Sequence, residues 1–352
     1  MRVMIAAGGT AGHVIPALSV AELLAASGAE VEFAGGDRAE ADLVPAAGFA
    51  FHALDAEGLS RTSLLKATRA AVRAVPAFFA AVRLLRDRRP NVVMGGGGYV
   101  AGIVGAAAVV TRTPLVLTEA DSHLGISNRL IARFARKVCL AFPLEGRTAP
   151  RYVVTGRPVP ASSRDQAAAR LRFGIAPDAT CVLVTGGSLG AASINNAAVR
   201  AFAESNFEVL HLAGERDLPM LSAPRSDYHL LGYIDEFSDA VAACDLAVAR
   251  AGGSVFELAS HATPAVLIPY PQAAGDHQTG NARWMESAGA AVLLADGELT
   301  SDLLRKTVEG ILSDPGRLAQ MSAASGGLAR PDAAADVAAF VTSAASSDGG
   351  GK

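Results

Sequence analysis

From residue 2 onward, short runs of consecutive apolar residues alternate with longer alanine-rich segments of helical periodicity. RVMIAA (2–7), VEFAG (31–35), VVMGG (92–96), LVLTEA (115–120), VCLAF (138–142) and YVVTG (152–156) predict strands in the first half. The rhythm restarts at CVLVTGG (181–187) and runs through EVLHLAG (208–214), HLLGYI (229–234), LAVAR (246–250), AVLIPY (265–270) and AVLLA (291–295). These runs are continuously apolar rather than alternating, which suits strands buried on both faces, as in the parallel sheets of α/β proteins. Two doubly wound domains in tandem follow. The boundary is expected within 157–178, where GRPVPASS supplies two prolines and a polar link. That gives a first domain over 1–160, a second over 161–345, and a tail, SSDGGGK (346–352), whose composition assigns it no structure. Within 63–89, Pro76 is expected to split one helical pattern into two helices.

Composition narrows the class. Of 352 residues, 51% are hydrophobic and 18% charged, enough for two cores and far from global disorder. Cys139, Cys181 and Cys244 stand far apart without CxxC or Cys/His metal spacing, which points to a reducing compartment and no zinc site. No basic segment followed by an apolar one precedes the first strand, and the longest weakly polar stretch, 99–111, falls short of the ~18 residues of a spanning helix. A cytoplasmic location without a transmembrane segment is expected.

The net charge of −3 conceals a division: 18 Lys+Arg against 12 Asp+Glu in 1–160, and 13 against 22 in 161–352. The first half is therefore the part expected to meet something anionic. Its excess is concentrated in 61–90, where eight basic residues face Asp87 alone.

Glycine-rich turns mark where the chemistry can sit. The first strand ends in GGTAGH (8–13) before a helix, an arrangement that offers backbone N–H groups and the positive end of a helix dipole to an anion. It is not the dinucleotide fingerprint, which needs glycine where Thr10 and His13 stand. GGGGYVAG (95–102) follows a second strand, and TGGSLGAASINN (185–196) opens the second half, with Gly187 in the turn and the Ser188 hydroxyl able to meet a phosphate. Turns at strand ends in two tandem units place a ligand cleft between the domains. After LAVAR, Gly252 and Gly253 lead into SVFELAS, with Glu257 in the first helical turn. A carboxylate there can accept both cis hydroxyls of a ribose. PYPQAAGDHQ (269–278) then brings Asp276 and Gln278 within reach of sugar hydroxyls.

Eight segments together resemble the MurG family: GGTAGHVIPA (8–17), GGGGYVAG (95–102), TEAD…SNRLIARFARKVCLAF (118–142), VTGRPV (154–159), VTGGSLGA (184–191), GYIDE (232–236), RAGGSVFELA (250–259) and DHQTGNA (276–282). The match runs in order over roughly residues 1–330. That family comprises peripheral membrane glycosyltransferases that move N-acetylglucosamine from UDP-N-acetylglucosamine to the 4-hydroxyl of an undecaprenyl-diphosphate-linked muramoyl-pentapeptide. The resemblance implies a GT-B architecture, two Rossmann-like domains facing across a cleft, with an inverting, metal-independent reaction and no cofactor. It places Thr10, Ala11, Gly12, Asp121, Arg157, Gly187, Ser188, Ile234, Gly253, Ser254, Glu257 and Gln278 near the donor. His13 falls on the family's proposed acid/base histidine, Glu119 competes for that role, and Gly95, Gly96, Gly97, Gly98 and Tyr99 are expected to hold the acceptor diphosphate.

Three positions depart from the family pattern. Its His-Glu-Gln-Asn is Thr118-Glu119-Ala120-Asp121 here, and its Gly-Asn-Pro-Val-Arg is Gly156-Arg157-Pro158-Val159-Pro160, leaving Arg157 to supply the guanidinium. The stretch from Arg250 to Glu257 is one residue shorter.

In AFFAAVRLLRDRR, Phe78, Val82 and Leu85 make a core stripe, while Phe79, Arg83 and Arg86 share a neighbouring one. A phenylalanine aligned with arginines fits an anionic membrane surface, the ring entering lipid and the guanidinium groups meeting phosphates. Nucleic acid is not expected, since stacking platforms and a binding motif are missing. The alternatives are a transferase with another lipid acceptor, a nucleotide-sugar epimerase and a non-catalytic nucleotide-sugar-binding protein.

Overall fold

A computed structural model describes residues 1–55, 64–160, 165–187 and 190–346, with the backbone alone over 64–73. The chain forms two compact units, Met1–Pro160 with Arg330–Lys352, and Ala161–Ala329. In the first, the order is β1 (Arg2–Ala7), α1 (Ala11–Ala26), β2 (Glu30–Gly35), α2 (Ala39–Ala46), β3 (Ala50–Ala53), α3 (Leu64–Arg88), β4 (Val92–Gly97), α4 (Gly98–Thr111), β5 (Leu115–Glu119), α5 (Ile126–Ile131), β6 (Lys137–Leu140) and β7 (Tyr152–Val154). The second contains α6 (Gln166–Phe173), β8 (Cys181–Thr185), α7 (Ala192–Ala201), β9 (Glu208–Leu212), β10 (Tyr228–Leu231), α8 (Phe237–Ala243), β11 (Leu246–Ala249), α9 (Ser254–Ser260), β12 (Ala265–Leu267), α10 (His277–Ser287), β13 (Ala291–Leu293), α11 (Ser301–Leu312) and α12 (Pro315–Gly327). The terminal helix α13 (Ala333–Ser346) returns to the first unit.

The first sheet has strand order β3-β2-β1-β4-β5-β6-β7 and the second β10-β9-β8-β11-β12-β13. All pairings are parallel. Each order reverses direction once, between β1 and β4 and between β8 and β11, and it is beyond the carboxyl ends of such strands that doubly wound sheets bind ligands. The turns GGTAGH and GGGGY occupy that position in the first sheet, and Gly186 with Gly187 and the turn AGGS in the second.

Both faces of the first sheet are covered. On one, Val93, Leu115 and Leu117 pack against Val82 and Leu85 of α3 and Val104 of α4; on the other, Ile5 and Met94 pack against Val20 of α1 and Val337 and Val341 of α13. The described second core is built by Val184 and Val248 with Ile194, Leu304, Val308 and Ile311.

Three expectations are corrected. Residues 330–346 do not belong with the second domain: Val337, Val341 and Ala344 form an apolar stripe buried on the first sheet, and periodicity alone cannot say which of two similar sheets a helix will cover. Pro76 does not split α3, because the buried Ala77, Ala81, Val82 and Leu85 anchor the following turns and hold one continuous helix despite the missing hydrogen bond. Strand β3, the short AFHA, was not expected; it lies at the sheet edge with half-buried and exposed residues and so lacks a continuous apolar run. The tail residues 347–352 lie outside the described residues.

Candidate functional site

In the first unit, His13 follows the glycine turn after β1. It stands in the first turn of α1 with Nδ1 3.3 Å from Thr10 Oγ1. Its ring lies against Gly97, where φ is +103° and an added Cβ would fall 2.5 Å from His13 Cδ2. Gly98, also at positive φ, leaves room for the Gly8 carbonyl, which an added Cβ would approach to 2.1 Å. The turns after β1 and β4 therefore interlock, and any larger residue at 97 or 98 would drive them apart. Thr10 is the N-cap residue of α1 and Gly97 that of α4, and neither makes a side-chain capping hydrogen bond. The start of a helix, with its N–H groups and the positive end of its dipole, is where an anion is taken up.

The acceptor-diphosphate candidates divide. Gly95 and Gly96 are buried within β4, where an added Cβ would meet Leu117 at 2.7 Å and Ala7 at 2.8 Å. They serve close strand packing and cannot touch a diphosphate. The Tyr99 hydroxyl is also buried, directed at Gly36 rather than outward. Gly97 and Gly98, by contrast with Gly95 and Gly96, are half-buried.

Arg157 donates from Nη2 to the Gly12 carbonyl at 2.6 Å, tying the loop after β7 to the start of α1. Gly12, Glu119 and Arg157 share the wall of a pocket of about 10 Å³, room for about one water and too small for a sugar. Glu119, 6% exposed, spends its carboxylate inside the protein. Oε2 accepts from Gly125 N at 2.8 Å and Asn128 Nδ2 at 3.0 Å, and Oε1 accepts from Asp121 N at 3.3 Å. Burial pushes its pKa from the usual 4.5 up to about 7, against the opposing pull of the Gly125 and Asn128 hydrogen bonds. The arrangement pins the loop 120–125 to the end of β5.

In the second unit, Gln278 and the Gly252 turn come together: Gln278 Nε2 lies 3.9 Å from where a Cβ on Gly252 would stand. Gln278 Oε1 accepts from Tyr270 N at 2.9 Å, which leaves its amide N–H groups as the side chain's donors. Glu257 sits half-buried in the first turn of α9 and, behind burial and Asp235, contributes to raising the Tyr233 pKa. Ile234, Gly253 and Ser254 are likewise half-buried, with Ser254 Oγ 3.4 Å from the Arg250 carbonyl. Gly187 has φ +84° at the turn after β8, whereas Ser188 lies outside the described residues. Asp121 is half-buried in the first unit at the loop Glu119 holds.

Sequence reasoning overlooked the supports. Arg250 donates to Ile268 O, Pro269 O, Asp296 Oδ1 and Ser193 Oγ at 2.6 to 3.1 Å, joining four segments behind the site. Asn195 of α7 donates to Ala213 O and Asp217 Oδ2 and pairs with His211 Nε2, whose Nδ1 meets the Tyr228 hydroxyl at 2.8 Å. Burial lowers the His211 pKa to about 4, so this histidine is a neutral core residue. Among the described residues, no group of three His, Cys, Asp or Glu is placed to hold a metal ion.

Two Rossmann-like units, each carrying glycine turns at the reversal of its strand order, define the GT-B class of glycosyltransferase fold. The chain belongs to glycosyltransferase family 28: the family's N-terminal domain matches residues 3–140 and its C-terminal domain 181–337. It is 39% identical to the UDP-N-acetylglucosamine--N-acetylmuramyl-(pentapeptide) pyrophosphoryl-undecaprenol N-acetylglucosamine transferase of Salinibacter ruber, over 96% of this chain and 95% of that one. The protein of the same name from Acidithiobacillus ferrooxidans is 40% identical over 96% of each chain. Among solved structures, MurG of Acinetobacter baumannii superposes with a TM-score of 0.79 at 28% identity, covering 97% of this chain and 99% of that one.

Proposed function

We infer that the protein transfers N-acetylglucosamine from UDP-N-acetylglucosamine to an undecaprenyl-diphosphate-linked muramoyl-pentapeptide, the step from lipid I to lipid II in peptidoglycan synthesis. The observation that carries this reading is full-length similarity at 35–40% identity to transferases of that name, joined to glycine turns at both strand-order reversals. The second unit holds the donor, with Glu257 on the ribose and Gln278 on the sugar; the first directs Thr10, Ala11 and Gly12 to the donor and supplies Gly97 and Gly98 to the acceptor diphosphate. The acceptor 4-hydroxyl attacks the anomeric carbon as the bond to UDP breaks, His13 takes the hydroxyl proton, and helix N-termini stabilise the departing diphosphate. The reaction inverts the anomeric centre and uses no metal.

UDP release with purified protein, UDP-N-acetylglucosamine and the lipid-linked acceptor, run with and without EDTA, tests the assignment. No release, or release that does not depend on the acceptor, overturns it. Replacing Glu257 by Ala is expected to weaken UDP binding by about 1.5–3 kcal/mol, the scale of hydrogen bonds to a charged group. Unchanged calorimetric affinity removes Glu257 from the ribose.

No described helix is long and apolar enough to cross a membrane. The protein acts at the cytoplasmic face of the cell membrane, attached through α3 and α5. Phe79 is 64% exposed beside the exposed Arg83 and Arg86, while Phe78, Val82 and Leu85 of the same helix face the core. Ile126, Leu130 and Phe134 repeat the device on and just after α5, with the Arg133 guanidinium 4.7 Å above the Phe134 ring. Anionic vesicles should bind, with Arg83 and Arg86 contributing about 1 kcal/mol each and salt weakening the effect. Phe79→Ser should lower binding in a way that salt does not reproduce; equal sedimentation with neutral and anionic vesicles refutes the attachment.

A further inference from the structure

Glu40 is a carboxylate with 0% exposure, on the first turn of α2 and outside every motif that points to the reaction. Its Oε2 accepts from Gly9 N at 2.8 Å and its Oε1 from Gly36 N at 2.9 Å. Those amides belong to the turns after β1 and β2, neighbouring parallel strands. The glycines around it are shaped to let it in: an added Cβ on Gly8 would fall 2.5 Å from Glu40 Oε1, and one on Gly35 2.7 Å from Glu40 Cγ. Over Gly36, the Tyr99 hydroxyl closes the same space, which brings the start of α4 into the cluster.

We propose that Glu40 is a positioning residue for glycosyl transfer, clamping the turn after β1 to the turn after β2 and so fixing where Thr10 and His13 stand. The chain of support is short. Gly9 precedes Thr10, the N-cap of α1; Thr10 Oγ1 lies 3.3 Å from His13 Nδ1, and the His13 ring rests on Gly97. A displaced Gly9 amide therefore moves the imidazole directly. Both oxygens of Glu40 are needed because both partners are donors: glutamine at this position keeps one acceptor but presents an N–H group to the other amide. This inference rests on the transfer reaction proposed above.

The full-length Glu40→Gln and Val44→Ala variants test it together. Val44 is buried on the same helix, in the core beneath, and touches neither turn's amide through a hydrogen bond. Glu40→Gln should lower kcat about 10–100-fold, the scale of a misplaced catalytic group, while UDP affinity stays that of the parent. Val44→Ala should lower thermal stability and leave kcat near that of the parent. Amide exchange adds a readout independent of catalysis: segments 8–13 and 35–38 should exchange faster in Glu40→Gln and not in Val44→Ala. Parental kcat in Glu40→Gln, an equal fall in Val44→Ala, or unchanged exchange at 8–13 overturns the proposal. A parent protein that fails to release UDP at all overturns the transfer reading instead, and the exchange result still decides whether Glu40 clamps the turns.

Discussion

Replacing His13 by Ala is expected to lower kcat by about 10²–10⁴ with UDP affinity largely kept, the signature of a lost proton acceptor rather than a lost ligand contact. Imidazole is the side chain whose ordinary pKa suits proton transfer near neutrality. This one is held by Thr10 on one side and by the glycine surface of β4 on the other, so its ring cannot swing without breaking both contacts. Thr10→Ala should then give a smaller loss than His13→Ala, because it removes the orienting group and leaves the base. Steady-state kcat measured beside calorimetric UDP affinity separates the outcomes. Parental kcat in the His13 variant excludes it as the base, and a loss confined to binding assigns it to the diphosphate.

Much of the fold was legible because continuous apolar strands and glycine turns are local signals. AFHA of β3 escaped because an edge strand need not be apolar throughout, and the terminal helix was assigned to the wrong sheet because its stripe fits either one. Of the candidate site, the positions were legible for the same reason: turns at strand ends announce themselves, and His13, Glu257 and Gln278 stand on the first turns of α1, α9 and α10. What stayed hidden was the support beneath. Gly95, Gly96 and Tyr99 look like ligand contacts in one dimension, yet two are packing surfaces and the third turns its hydroxyl inward. Glu40 and Arg250 act through partners remote in sequence, at Gly9 and Asp296 among others, and no spacing rule connects such pairs.

Glu119→Gln is the second large effect expected, and its pattern differs from that of His13→Ala. All three hydrogen bonds at the carboxylate come from donors, Gly125 N, Asp121 N and Asn128 Nδ2. A glutamine can face them with a single acceptor oxygen, so the loop 120–125 loses part of its anchor, at a cost of about 1–3 kcal/mol for the donors left buried. As a clamp, Glu119 should lose about tenfold in kcat, well short of the 10²–10⁴ of a general base. Its titration supplies an independent check. The folded pKa of about 7 lies above the ordinary 4.5, so the folded state binds the proton more tightly and stability from this group falls as pH rises from 4.5 to 7. At 1.36 kcal/mol per unit the span amounts to roughly 3 kcal/mol. The glutamine variant lacks that dependence, so the stability gap between parent and variant should be wide at about pH 5 and narrow at about pH 7.5. Denaturant midpoints at the two pH values read the gap directly. A gap that does not change with pH shows that Glu119 does not titrate in this range, and a hundredfold loss of kcat with stability intact would make Glu119, not His13, the proton acceptor.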